Sequence, residues 1–565
     1  MLSKNQKYTV TIESCTVEGY GVCRLDGRAV FVSGALPGED WEVLILKVTN
    51  TAVWAKGTRM LKASPDRIPN TCPNPCGGCS LRCLRYPEEL AVKKQHVDDC
   101  LRRLGRQARG TDCIHPSPDA DRCRNKAIFA VGERDGKAVF GFYRPRSHDI
   151  VPVTDCLLQS ERCLQTAKTV IDFMNREGIS AYCEESGRGT VRHLFWRESD
   201  RDAVLCITAA RGFGSRTEDL VGFLRRACPF LTGIVLNVNK SRLNTVLAGE
   251  FYTLWGRETV RQRFCGVDFE VQPQAFLQVN PLQAEAIYRK ACEWAIPAGE
   301  EPEVLDLYCG AGTISLCLAK TAGHVTGIEI VPEAVENAKK SAAKNGIANA
   351  DFFCADSSEL SSLGIHPDVA VVDPPRKGLD ERVVTDLAAL MPERIVYVSC
   401  SPATLARDLK RFAEQGYLLQ RAEAFDMFPR TAHVETVVQL SKGDIDRDSS
   451  ERKSIVKTDD IGMINGYNKG NKAPETTNVK IDFSLENLDL SELRGKATYE
   501  QIKDYVREQT GFRVSTLYIS QVKRKCGLEV GESYNKPKSE DAKQPQCTPE
   551  KEEAIMQALR HYGMI

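Results

Sequence analysis

Three thiols stand close together in the stretch TCPNPCGGCS, at Cys72, Cys76 and Cys79, with C-x3-C-x2-C spacing. Clustered cysteines serve as metal ligands, and this spacing admits a structural zinc, a structural iron–sulfur cluster, a radical-generating iron–sulfur site or a decayed, metal-free loop. A second set of reactive side chains lies downstream, where five apolar runs each stop on a useful group: EVLDLYCG, HVTGIEI, DFFCADS, DVAVVDPPR and RIVYVSC. Such runs, separated by helical stretches, form a parallel, doubly wound sheet, which binds ligands outside the carboxyl ends of its strands. The first leads into Gly310 and Gly312, where the backbone can approach a ligand closely. Ser315 stands where a dinucleotide fingerprint has its third glycine, which disfavours a nicotinamide cofactor. The second ends at Glu329, a carboxylate able to accept from both ribose hydroxyls, and the third at Asp356, suited to an adenine edge. Asp373 is followed by Pro374 and Pro375, which cannot extend a ladder and stiffen the wall of a site. The fifth ends at Cys400, at a strand-to-helix turn where helix N-terminal amides are expected to lower a thiol pKa. Glu435 precedes the last apolar strand and, taken alone, reads as an ordinary surface carboxylate.

These groups need a scaffold. The 565 residues suffice for several domains with cores of their own. The 76 basic and 76 acidic residues cancel, so net charge announces no polyanionic partner. No basic segment leads into a signal-like apolar run, and no run of about 18 apolar residues occurs, so a cytoplasmic protein without membrane contact is expected. Its 22 cysteines then stay reduced, and isolated ones such as Cys206 and Cys317 read as small buried apolar residues. Residues 1–62 alternate as short strands between turn glycines and predict a small β-barrel. A helical pattern runs from about Glu88 to Leu104, and a helix over 88–112 is expected to pack on the downstream domain. Residues 63–265 otherwise read as a strand-rich central domain. There FGFYRPRSHDI (140–150) and GTVRHLFWRES (189–199) mix basic and aromatic residues, as on a strand face that contacts phosphate and stacks bases, or on an ordinary solvated one. Residues 266–442 hold the doubly wound α/β sheet, 443–480 a polar linker and 481–565 a helical extension. In that extension two helices joined at Gly511, with Lys523, Arg524 and Lys525 ending the second, read as a helix-turn-helix contacting nucleic acid or as a packed hairpin.

Together, QAFLQVN (274–280), DLYCGAGTISL (306–316), GIEI (327–330), DPPRKGL (373–379), YVSCSPATLARDL (397–409) and DMFPRTAHVETV (426–437) closely resemble the motifs of the RNA uracil-5-methyltransferases. The resemblance covers residues 1–440 and implies a Rossmann-like class I S-adenosylmethionine methyltransferase domain. It implies cofactor contacts by Gln278, Tyr308, Glu329 and Asp373, with Asp356 as an addition, Cys400 as nucleophile and Glu435 as base. The residue types suit the chemistry, because carbon 5 of uracil is a poor nucleophile until a thiolate adds to carbon 6, and a carboxylate must then remove the carbon-5 proton. The resemblance also implies a fourth cysteine, Cys156 in VPVTDCLLQ, completing a [4Fe–4S] ligand set with Cys72, Cys76 and Cys79; four-cysteine zinc is the alternative by ligand type. This loop is two residues shorter than the family's usual C-x5-C-x2-C, and Cys83 offers another thiol nearby. A radical site would follow the first strand of a β/α barrel, unlike this proline-rich loop after a small β-domain. Residues 1–62 resemble the TRAM domain, an OB-like RNA-binding module. TRAM-bearing members of the family act mainly on 23S rRNA, so that RNA is the expected substrate, transfer RNA the runner-up and a monomer the expected state. A non-catalytic RNA-binding assembly factor would have lost Cys400 or Glu435, and both are present.

Overall fold

Alternation of apolar and polar residues produces the N-terminal module as the spacing predicts. Its six strands pair in the order Lys7–Thr11, Asp40–Val48, Ala52–Lys62, Arg28–Ser33, Tyr20–Leu25 and Ser14–Cys15, around Val10, Val30, Val32, Val43, Ile45 and Val53. The computed structural model describes residues 2–49, 52–144, 147–241, 246–443, 499–510, 512, 514–526 and 547–561. The chain divides between Gly466 and Tyr467 into two units. No described helix is long and apolar enough to cross a membrane.

The central seven-stranded sheet runs Ile150–Pro152, Lys137–Tyr143, Lys126–Arg134, Val191–Glu198, Ala203–Ala209, Gly233–Val238 and Glu250–Gly256. Helices Glu161–Glu177 and Thr217–Ala227 pack on it, so the region is layered α/β rather than strands alone. One expectation fails here. Val191–Glu198 is the middle strand and every one of its residues is buried. Arg192 donates to the carbonyls of Asn239 and Ser241, and Arg197 to that of Ala275. Their charge is spent inside the protein because buried cations need internal acceptors, so residues 189–199 present no face to RNA. Tyr143 and His148 of the other segment are exposed.

The third sheet has eight strands, ordered Ala350–Cys354, His324–Glu329, Glu303–Leu307, Val369–Val372, Arg394–Ser399, Glu435–Lys442, Tyr417–Phe425 and Cys113–His115. The last of these comes from far upstream. Helix Tyr86–Asp99 runs into a π-helical turn, Cys100–Leu104, and the chain then extends to lie parallel to Tyr417–Phe425; helix therefore ends at Leu104 rather than near residue 112. Val97 and Leu101 enter the same core as Leu405, Leu409 and Phe412 of helix Pro402–Glu414. The hairpin Val260–Phe264 and Val267–Val271 buries Phe264 and Phe269 against Tyr288 and Trp294 of helix Pro281–Ala295, so the boundary expected at 265/266 falls at the turn of one packed unit.

In the second unit, helices Tyr499–Thr510, Thr516–Lys525 and Pro549–His561 enclose Ile502, Val506, Ile519, Val522, Ile555 and Leu559. Lys523 is buried and Lys525 pairs with Glu552 at 2.7 Å, so these two lysines do not form a common solvent-facing patch. From residue 444 onward the expected linker lies outside the described residues, as does Gly511.

An internal ion network pins helix Tyr86–Asp99 to the segment after Phe425. Lys93 Nζ donates to Glu89 at 2.9 Å, to Asp426 at 2.6 Å and to the Phe428 carbonyl at 3.0 Å. Arg430 pairs with Glu89, and Tyr86 donates to Asp426. Lys93, Glu89 and Asp426 have no exposed surface. Removing one partner from such a group strands the others, at about 3–5 kcal/mol. Lys93→Ala is therefore expected to lose stability of that order in chemical denaturation; a loss under about 1 kcal/mol, the scale of a surface ion pair, would show that these charges are hydrated.

Candidate active site

Strand order reverses between Glu303–Leu307 and Val369–Val372, the place where a doubly wound sheet opens a crevice. Residues at the strand ends line its rim. Tyr308 turns at a φ of 68° and its hydroxyl meets Ser357 Oγ at 2.9 Å. The Glu329 carboxylate accepts from Gly310 N at 3.1 Å and from Val331 N at 2.9 Å, which fixes its orientation. Gly310 has a φ of 55°, and a Cβ there would meet nothing within 4 Å, leaving open space beside Glu329 over which a nucleoside can lie. Asp356 caps the short helix Ser357–Ser362 by accepting from Ser358 N at 2.8 Å, which holds its carboxyl below the usual range. These features fit the S-adenosylmethionine contacts expected from the motifs. Gln278 is buried in the loop before helix Pro281–Ala295. Asn125 holds that loop through Gln278 O at 3.2 Å and Val279 O at 2.8 Å, and Asn280 caps the helix and donates to Ser117 at 2.9 Å.

Register brings the two reactive residues together. Arg394–Ser399 and Glu435–Lys442 are antiparallel with Ser399 opposite Thr436, so the residue after Ser399, Cys400, faces the residue before Thr436, Glu435. Burial and then the charge of Asp373 push the Glu435 carboxyl well above the ordinary carboxylate range. Burial, with Asp306 beyond it, raises Asp373 to about 7. Burial, then Glu435, then Asp373 push the Cys400 thiol up to about 11. The expected lowering by helix amides is thus outweighed. Arg376 opposes the rise at both Cys400 and Glu435.

Arg376 has no role in the sequence reading, although it is the cation nearest the DPP turn. Its loop is tied to helix Pro402–Glu414: Thr404 donates to the Arg376 carbonyl at 3.2 Å, and Arg407 to those of Lys377 and Leu379 at 2.9 and 3.0 Å. Asp408 accepts from Leu379 N at 2.8 Å and from the Tyr397 hydroxyl at 2.9 Å. Gly378, at a φ of 72°, permits this approach, since a Cβ would lie 2.4 Å from Asp408 Oδ2.

The cysteine loop docks on the segment before Cys156. Asn74 donates to the Asp155 carbonyl and accepts from Thr154 N at 3.2 Å. Cys79 and Cys156 are raised chiefly by burial; Cys76 and Cys72 act on the former, Cys79 and Cys76 on the latter, so the four thiols share one neighbourhood. The Gln159 amide donates to the Cys156 carbonyl at 3.0 Å, and the backbone of residues 158 and 159 offsets part of the rise at the Cys156 thiol. The Cys83 carbonyl accepts from Ile68 N at 2.8 Å, and Cys83 is not among the thiols that act on Cys79 or Cys156.

The electrostatics of Cys400 are directly measurable. Alkylation of its peptide by iodoacetamide, followed by mass spectrometry, is expected to titrate near 11 in the free protein and at a lower pH in Glu435→Gln, which removes a negative neighbour. A midpoint at or below the ordinary thiol range would contradict this account.

Comparison with known proteins identifies the family. The tRNA (uracil-5-)-methyltransferase family model matches residues 258–443, and the TRAM domain model residues 3–56. An uncharacterized RNA methyltransferase of Halalkalibacterium halodurans is 39% identical over 451 residues, covering 78% of this chain and 98% of that protein. One of Clostridium acetobutylicum is 37% identical over 454 residues, again covering 78% and 98%. Among solved structures, the Pyrococcus abyssi tRNA (uracil-54, C5)-methyltransferase in complex with S-adenosyl-L-homocysteine superposes with a TM-score of 0.63 at 27% identity, covering 77% of this chain and all of that one. Likeness that extends through barrel, central sheet and catalytic sheet places the chain in the S-adenosylmethionine-dependent RNA uracil-5-methyltransferase family.

Proposed function

We propose that the protein, acting in the cytoplasm as a monomer, methylates carbon 5 of a uridine in 23S rRNA through a covalent adduct on Cys400. The observation that carries this reading is the pairing of Cys400 with Glu435 across adjacent strand ends. Gln278, Tyr308, Glu329, Asp356 and Asp373 would hold S-adenosylmethionine, which supplies an electrophilic methyl group and a positive charge when bound. The Cys400 sulfur, as thiolate, bonds to carbon 6 of the uracil and moves an electron pair toward carbon 5, which can then take the methyl group, the electron pair of the broken methyl–sulfur bond staying with the departing thioether, S-adenosylhomocysteine. Arg376 favours that thiolate. The Glu435 carboxylate then takes the carbon-5 proton, and the carbon–sulfur bond breaks with its electron pair returning to Cys400. The raised Glu435 pKa suits a group that must hold a proton near neutral pH. Asp373, half-buried beside both, is suited to hold an edge of the uracil once the base has turned out of its stack.

Support for 23S rRNA comes from the TRAM barrel at residues 3–56. A second reading, transfer RNA, is favoured by the likeness to the Pyrococcus abyssi enzyme, whose name specifies tRNA. Cys72, Cys76, Cys79 and Cys156 would hold a [4Fe–4S] cluster, which supplies a cross-link between the loop and the central sheet rather than redox chemistry. Four cysteine thiolates suit a cluster of this kind, with tetrahedral zinc the alternative by ligand type.

Denaturing gels of protein incubated with S-adenosylmethionine and 5-fluorouridine RNA test the chemistry, because fluorine blocks proton loss at carbon 5. A methylated adduct that needs Cys400 and forms on ribosomal transcripts is the expected result; an adduct on transfer RNA alone would favour the second reading. Failure with both RNAs, cofactor binding intact, would reject the nucleophile. Cys79→Ala is expected to lose iron together with folding or RNA affinity, and full methylation by an iron-free variant would remove the cluster from the account.

A further inference from the structure

Where the upstream strand Cys113–His115 joins the catalytic sheet, a second set of ligand-type side chains converges. The strand runs parallel to Tyr417–Phe425, with Cys113 opposite Glu423 and His115 opposite Phe425. Period-two alternation sends Cys113 and His115 to the same face. His115 Nε2 lies 3.4 Å from Cys113 Sγ and 2.6 Å from Glu423 Oε2, and the three ligand atoms all fall within 4.8 Å of one another. Among the described residues they form the group of this kind compact enough for one ion.

We propose that Cys113, His115 and Glu423 bind a zinc ion that clips the upstream strand to the edge of the catalytic sheet. The donor set, a thiolate, an imidazole and a carboxylate, is one that zinc takes, with a fourth position left for water. Tetrahedral zinc with ordinary Zn–S and Zn–N lengths sets sulfur and nitrogen about 3.5 Å apart, close to the 3.4 Å found. The nitrogen–oxygen pair must open to about 3.3 Å as the hydrogen bond between them gives way to two metal bonds. The frame behind the ligands is already fixed. The His115 ring stacks on Phe425 with centroids 4.4 Å apart and planes at 19°. The His115 carbonyl accepts from Gln283 Nε2 at 2.9 Å and from Asp426 N at 3.0 Å. Lys290 lies 3.4 Å from Glu423, but it also pairs with Glu293 at 3.2 Å and keeps that partner when the ion takes the Glu423 oxygen.

Charge balances on binding. The Cys113 thiol gives its proton to solvent, the imidazole tautomerises so that the N–H that Nε2 offers Glu423 is replaced by one on Nδ1 and the Nε2 pair reaches the metal, and thiolate plus carboxylate neutralise the divalent charge. One proton is released for each ion bound.

The test uses full-length protein prepared without oxygen, so that the Cys72, Cys76, Cys79 and Cys156 site stays loaded, and a mild chelator to clear exposed sites. Cobalt(II) is titrated in as a spectroscopic probe and displaced with zinc, with difference spectra recorded for the natural sequence, Cys113→Ser, His115→Ala and Glu423→Gln. The expected result is one equivalent with a thiolate-to-cobalt charge-transfer band, lost in Cys113→Ser and in His115→Ala. Hydrogen exchange should slow at residues 113–115 on zinc addition in the natural sequence and not in the conservative Glu423→Gln variant. Identical cobalt spectra and stoichiometry in all four proteins, or unchanged exchange at that strand, would overturn the proposal. Basal methylation by the metal-stripped protein, with the four-cysteine site intact, checks that each variant is folded.

Discussion

A lysine without exposed surface settles where Glu435 stands. Lys93 binds Glu89 on its own helix and both Asp426 and the Phe428 carbonyl on the segment that carries the chain from Phe425 to Glu435. The same network continues outward: Tyr86 donates to Asp426 and accepts from Ser117 N, and Ser117 Oγ accepts from Asn280 at the mouth of the Gln278 loop. Helix Tyr86–Asp99, the segment leading to Glu435 and the Gln278 loop are thus joined by groups that cannot be satisfied one at a time. A buried polar network is costly when incomplete and selective when complete, so this arrangement favours a single relative placement of three pieces distant in sequence.

Around that frame, burial dominates the electrostatics. A helix N-terminus contributes about 0.3–1 kcal/mol, less than a tenfold change in ionisation. Cys400 stands at such a terminus and yet its thiol is raised, because desolvation and two nearby carboxylates act against it. Asp306 is likewise raised to about 7 by burial, although the Ser315 hydroxyl and amide pull it down. Burial that raises Cys400, Glu435 and Asp373 disfavours negative charge in the pocket, so the arrival of positive charge there favours the ionised forms of all three.

Strand ends could be read from the sequence because they are local: an apolar run stopping at Glu329, Asp356 or Cys400 places that side chain at the rim whatever the remaining contacts are. Pairing could not be read that way. That Ser399 lies opposite Thr436, and so Cys400 opposite Glu435, depends on an antiparallel strand inserted between Arg394–Ser399 and Tyr417–Phe425. Charge misled the reading at Arg192 and Arg197, where backbone carbonyls from residues 239, 241 and 275 take the place of solvent. Lys93 gave no local signal at all, since its position on the helix looks like that of any solvated lysine until Asp426 is brought beside it.

The edge strand Cys113–His115 has a consequence in time. His115 and Glu423 are 308 residues apart, and at about 5–20 residues per second of synthesis the partner strand follows roughly 15–60 s later. The central module is completed in that interval, while the strand that will border the catalytic sheet has no ladder to join. An unpaired edge is a template for wrong association, and this one is only three residues long and carries a histidine and a thiol. Brevity and polarity let it wait on the ribosome without recruiting a stranger.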